Sequence, residues 1–187
     1  MNKILIALLS LFALVACGDN EEKPVPQPEK AQPQLALSYQ DKVYPSGSTI
    51  DIAATERVFD YAPGEIVVEA GDDHPDFPSP SPVIVLNATG DHKAEATKLP
   101  LNYTATVTTT DFARFTWCGV APECVPMTKA TETRQGTLTA ERPKTSLLLE
   151  CGFAPKQYAT VSATLQLQAA GEKVPATYTL RYTYAKK

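Results

Sequence analysis

Thr160-Val161-Ser162-Ala163-Thr164-Leu165-Gln166-Leu167-Gln168 alternates polar and apolar side chains without a break. A strand turns successive side chains to opposite faces, so Val161, Ala163, Leu165 and Leu167 fall on one side and hydroxyls and amides on the other. Downstream, Ala170-Gly171-Glu172 supplies a turn into Thr177-Tyr178-Thr179-Leu180-Arg181-Tyr182-Thr183-Tyr184, where the three tyrosines and Leu180 share a face. Upstream, Asn102 to Thr109 is dominated by Thr, Tyr and Val, which fit a pleated surface. Phe115 and Trp117 alternate with Arg114 and Thr116, putting both aromatics on an inward face with Ala113. Gln135–Thr139 and Thr145–Glu150 continue the pattern. Nearer the start, Leu35–Tyr39 and Ser48–Ile52 read as two strands of a hairpin around Tyr44-Pro45-Ser46-Gly47. Glu65–Glu69 and Pro82–Asn87 are short β-branched runs suited to a sheet centre. Gly71–Ser81, rich in proline and acid, reads as the longest irregular loop. No segment has a helical period, so eight or nine strands at short spacing predict an all-β, antiparallel sandwich over residues 35–187.

Before that domain the composition changes twice. Met1 to Ala13 holds one cation, Lys3, and the apolar run Ile4 to Leu9, too short for a permanent membrane span and typical of a secretory signal. It leads into Leu14-Val15-Ala16-Cys17, which resembles the lipobox of bacterial lipoproteins. That resemblance implies cleavage after residue 16, a diacylated Cys17 thiol, and a chain held by lipid in the cell envelope, at the outer membrane. Residues 17–34 then carry Pro24, Pro26, Pro28 and Pro33 with hardly an apolar side chain, an extended spacer. Its start is acidic, Asp19 with Glu21-Glu22, similar to lipoproteins of Bacteroides-type bacteria.

The chain has 17 Lys+Arg against 21 Asp+Glu, and loss of Lys3 with the signal makes the balance more acidic. No basic patch exists for phosphate backbones, so nucleic acid is not an expected partner. With Cys17 on lipid, Cys118, Cys124 and Cys151 remain, an odd number in a compartment where disulfides persist. Cys118 and Cys124 flank a short Gly- and Pro-containing loop, and a bridge across its mouth leaves Cys151 as a free, buried thiol. The rival pairing joins Cys151 to Cys118 or Cys124 and links two sheets. Trp117-Cys118, Cys124, Gly136-Thr137-Leu138 and the aromatic strand at Tyr178–Tyr184 together resemble a group of immunoglobulin-like lipoproteins of Bacteroides-type bacteria. That likeness implies an immunoglobulin-like sandwich and brings no activity with it; Cys151 departs from it.

Chemistry-bearing clusters are few. Asp72, Asp73, His74 and Asp76, with Asp91-His92 after the next strand, are weak candidates for calcium or a transition metal, matching no defined loop. Nothing matches a nucleophile elbow, a zinc-protease helix or a phosphate loop. The leading expectation is thus a non-enzymatic binding or structural module without a cofactor, contacting an envelope protein or a glycan. Competing readings are a metal-dependent enzyme or glycan hydrolase using the Asp72–His92 region, and an adhesin or assembly subunit.

If Cys17 carries the anchor, Cys17→Ser should move the full-length chain from the detergent phase to the aqueous phase in cloud-point partitioning. Each lost methylene removes about 0.8 kcal/mol of membrane affinity. A Ser variant that stays with the detergent would defeat the lipobox reading.

Overall fold

Threonine, valine and tyrosine at alternate positions fit a pleated surface better than a helix, and the chain is accordingly strands and turns throughout. The computed structural model describes residues 32–58, 66–70, 73–74, 77–78, 81–87, 99–120 and 123–186. In chain order its strands are β1 (Leu35–Tyr39), β2 (Lys42–Tyr44), β3 (Thr49–Ala53), β4 (Thr55–Val58), β5 (Ile66–Ala70), β6 (Asp73–His74), β7 (Phe77–Pro78) and β8 (Val83–Leu86). There follow β9 (Leu101–Thr108), β10 (Phe115–Trp117), β11 (Val125–Pro126), β12 (Thr131–Leu138), β13 (Lys144–Ser146), β14 (Leu149–Phe153), β15 (Ala159–Ala169) and β16 (Ala176–Tyr184). The described residues thus hold sixteen strands where eight or nine were expected; eight have five or more residues and the others are shorter pieces. The one helical element among the described residues is a 3-10 turn, Phe112–Arg114, and it carries Ala113 out to solvent rather than onto the aromatic face.

Two layers make the sandwich. The front is a five-stranded sheet in the order β12-β9-β15-β16-β3. The back consists of a four-stranded sheet, β13-β8-β1-β2, and a five-stranded sheet, β11-β10-β14-β5-β4. Inward residues of β15 and β16, among them Leu165, Leu167, Tyr178, Leu180 and Tyr182, pack in one core with Leu35, Leu37, Phe115, Trp117 and Leu149 of the back layer. Outward, the front sheet is threonine-rich. One row, Thr131-Thr108-Thr164-Thr179-Thr49, crosses all five strands. Hydroxyls of Thr106 and Thr133 meet at 2.9 Å, as cross-strand pairs on a solvated face do.

Four further features differ from the sequence expectation. β1 pairs with β2 through Gln40 and Asp41, both at positive φ, and not with β3. The Ser46-Gly47 turn instead hands the chain to the front sheet, where β3 lies parallel to β16, the exception to antiparallel pairing among the described residues. Thr145–Glu150 is two strands, because Leu148 takes a positive φ of 41° and passes the chain from one back sheet to the other. Gly71–Ser81 includes a short ladder, β6 against β7, since a proline at a sheet edge forfeits only its donor.

The sheet change at Leu147-Leu148 is fastened on both sides. Leu147 N donates to Pro82 O at 2.8 Å, Cys118 N to Leu148 O at 2.9 Å, and the buried indole Nε1 of Trp117 to Leu147 O at 3.0 Å. Gly119 lies so close that a Cβ there would overlap the Leu147 carbonyl, which is backbone and cannot swing away. Gly119→Ala should therefore lower stability by about 3 kcal/mol in urea unfolding. A change of less than about 0.5 kcal/mol would mean that this approach does not constrain the fold.

Candidate functional site

The arch joining β12 to β13 also joins the two layers. Its turn is closed by Thr139 N to Arg142 O at 3.0 Å and by Arg142 N to Thr139 O at 3.1 Å. Because β12 and β13 are both edge strands, the layers part beneath the arch and leave a cavity of about 450 Å³. Tyr103, Gly136 and Thr137 line it from the front sheet, Cys118, Gly119 and Val120 from the loop after β10, and Arg142, Lys144, Thr145, Ser146 and Leu148 from the arch, β13 and the sheet change. A second cleft of about 540 Å³ adjoins it and shares Tyr103, Gly136 and Thr137. Its other polar groups come from Asn102, Thr104, Gln135, Gln168 and Glu172.

Each wall has a local cause. Tyr103 sits opposite Gly136 and its ring covers the glycine, where a Cβ would strike it. Burial pushes the Tyr103 hydroxyl up to about 12, so at neutral pH it keeps its proton. The Ser146 hydroxyl oxygen is buried and meets no hydrogen-bond partner among the described residues. Behind the Gly119 wall, Arg134 stacks 4.7 Å over the Trp117 ring with Nη1 donating to Gly119 O at 3.1 Å. Burial pulls its guanidinium below the ordinary arginine value while Glu132 opposes the shift. Glu172 is committed elsewhere: its carboxylate accepts from Gln34 N at 2.7 Å and from Ala169 N at 3.4 Å, clipping the start of the domain to the β15–β16 turn.

Cys118 and Cys124 form the disulfide, with Cα atoms 3.8 Å apart, and close the loop that carries Gly119 and Val120 along the cavity wall. Cys151 is the free, buried thiol, paired in register with Phe115 and Ala70. The rival pairing of Cys151 with Cys118 or Cys124 does not form, and it would not have linked two sheets, because β10, β11 and β14 belong to one sheet. Of the metal candidates, Asp73 and His74 lie on β6, with His74 opposite Phe77. Asp72, Asp76, Asp91 and His92 lie outside the described residues, as does Cys17. Among the described residues no three metal-ligating side chains come together. Tyr103, Arg142, Lys144 and Ser146 were not singled out by the sequence. Gly136 was the available signal, since a glycine inside a strand pattern marks a close approach.

No protein-family model matches the chain, and no curated protein matches it. Among solved structures the chain is similar to the N-terminal domain of PorA, with 13% identity and a TM-score of 0.47, over 81% of this chain and 97% of that one. A likeness of that degree carries no inference about either fold or activity.

Burial pushes the Cys151 thiol up to about 12, which leaves almost no thiolate at pH 8. Alkylation of the native chain at that pH should be roughly a thousandfold slower at Cys151 than at an exposed cysteine. In urea without reductant, the Cys151 peptide should label while Cys118 and Cys124 stay linked. Rapid native labelling of Cys151 would contradict its burial.

Proposed function

We propose that the chain is a lipid-anchored envelope protein whose β-sandwich serves as a non-enzymatic binding module. The observation that carries this reading is the cavity under the β12–β13 arch, whose lining offers hydroxyls, a guanidinium and an ammonium at the open side of a fixed core. Such groups recognise and orient a ligand. Hydrolysis by general acid and base needs two titrating groups aimed at one bond, and among the described residues the cavity lining holds no carboxylate and no histidine. The Leu14–Cys17 segment and the proline-rich spacer support the placement, with a tether long enough to hold the domain clear of a membrane surface.

Affinity capture with the full-length acylated protein, from envelope solubilised in mild detergent, tests this reading. A defined envelope protein or glycan should be retained, and equally by the Asp73→Ala/His74→Ala variant. Stoichiometric metal in the purified protein, or glycan hydrolysis abolished in that variant, would overturn the reading in favour of an enzyme.

A further inference from the structure

Charge singles out the cavity under the arch. The whole chain is acidic, 17 Lys+Arg against 21 Asp+Glu, yet among the described residues the cavity lining has two cations, Arg142 and Lys144, and no carboxylate. The nearest carboxylate in sequence, Glu141, is taken up at its own turn, where bonds from its own backbone N–H and from the Thr139 hydroxyl lower its pKa. A local inversion of charge at a concave site selects an anion.

Volume and hydrogen bonding narrow the class. At about 450 Å³ the space is far larger than a bare phosphate or sulfate and suits a ring with its substituents. Tyr103 brings a protonated phenol hydroxyl to the cavity wall, and Thr145 adds a second hydroxyl side chain. Thr137 already donates to Asn102 Oδ1 at 2.7 Å, so its oxygen remains to accept. Donors and acceptors are thus mixed around one cationic end, which is the complement of a polyol bearing a single carboxylate. The adjoining cleft shares Tyr103, Gly136 and Thr137 with the cavity and adds the amides of Asn102, Gln135 and Gln168.

We propose that the cavity binds a carboxylate-bearing sugar, with its carboxylate at Arg142 and Lys144 and its hydroxyls at Tyr103 and Thr137, and that the adjoining cleft takes the next, uncharged sugar. This rests on the binding-module reading and gives that module its ligand class.

The test is calorimetric titration of the full-length protein in detergent micelles with a glucuronate-terminated disaccharide, the methyl ester of the same sugar, inorganic phosphate and a glutamate-rich peptide. The free acid should bind. Esterification should weaken binding by about tenfold or more, and so should the double variant Arg142→Ala/Lys144→Ala, since a charge-assisted contact is lost in each. Both residues are exposed, so the variant should unfold at the wild-type urea midpoint. Failure of the acid to bind, equal binding of acid and ester, or equal or tighter binding of phosphate or peptide would overturn the assignment. Envelope capture that persists in the double variant would also overturn it while leaving the module reading intact. Cleavage of the disaccharide would overturn the non-enzymatic reading and leave the ligand class standing.

Discussion

The hydroxyls of two tyrosines on β16 hold the layers in register. Tyr182, fully buried, donates to Leu149 O at 2.8 Å in one back sheet. Four residues earlier on the same face, the Tyr178 hydroxyl accepts from Leu37 N at 3.2 Å and donates to Tyr44 O at 3.3 Å in the other. A single strand of the front sheet thus fixes the position of both back sheets. Burial raises the Tyr182 pKa well above its ordinary value, so the proton needed for donation stays in place. A bond of this kind contributes about 1 kcal/mol net, but a buried carbonyl left without a partner costs about 1–3 kcal/mol. The tyrosines therefore select one stacking of layers more than they add to overall stability. Phe115, edge-on to the Tyr182 ring at 5.3 Å, leaves that ring little room to turn.

With the layers pinned along β16, their separation elsewhere depends on what fills it. At β12 the filling is polar: Arg134 reaches from the front sheet across Trp117 to Gly119 O and acts as a strut with a charged end. Beyond Arg134, the positive φ at Leu148 carries β14 away from β13 and into the other back sheet. The cavity is the result of these local conditions, and the disulfide keeps one of its walls in place. The surface pair Arg181–Asp51 is built differently. Its two hydrogen bonds lie on the exposed face, the guanidinium lowers the Asp51 pKa, and solvent screening leaves it little weight in stability.

Alternation made the long strands legible. Every apolar residue of Val161–Leu167 and of Tyr178–Tyr184 that the period assigned to the inner face is buried there, as are Phe115 and Trp117. The local disulfide also followed from spacing, because six positions separate the two cysteines. Pairing partners were less legible. Nothing in Thr49-Ile50-Asp51-Ile52 says that it joins β16 in parallel rather than β1, since period two reports burial and not the neighbour. Leu148 carries no turn signature, and its positive φ is imposed by tertiary bonds to Leu147 and Leu148 carbonyls rather than by local preference. The cavity was invisible for a similar reason: Tyr103, Arg142 and Ser146 are distant in sequence and form no motif.

The parallel seam between β3 and β16 has a temporal side. Asp51 and Arg181, neighbours across it, are 130 positions apart in the chain. Closing so large a loop costs entropy before any contact returns it, and pairings of this span slow folding. β16 also carries the tyrosines on which both back sheets rest. A nascent chain lacking that strand can form local hairpins such as β1–β2, but its layers have no common post to settle on. Assembly of the sandwich is therefore deferred until nearly all of the domain has been synthesised, and the order of synthesis runs opposite to the order of structural dependence.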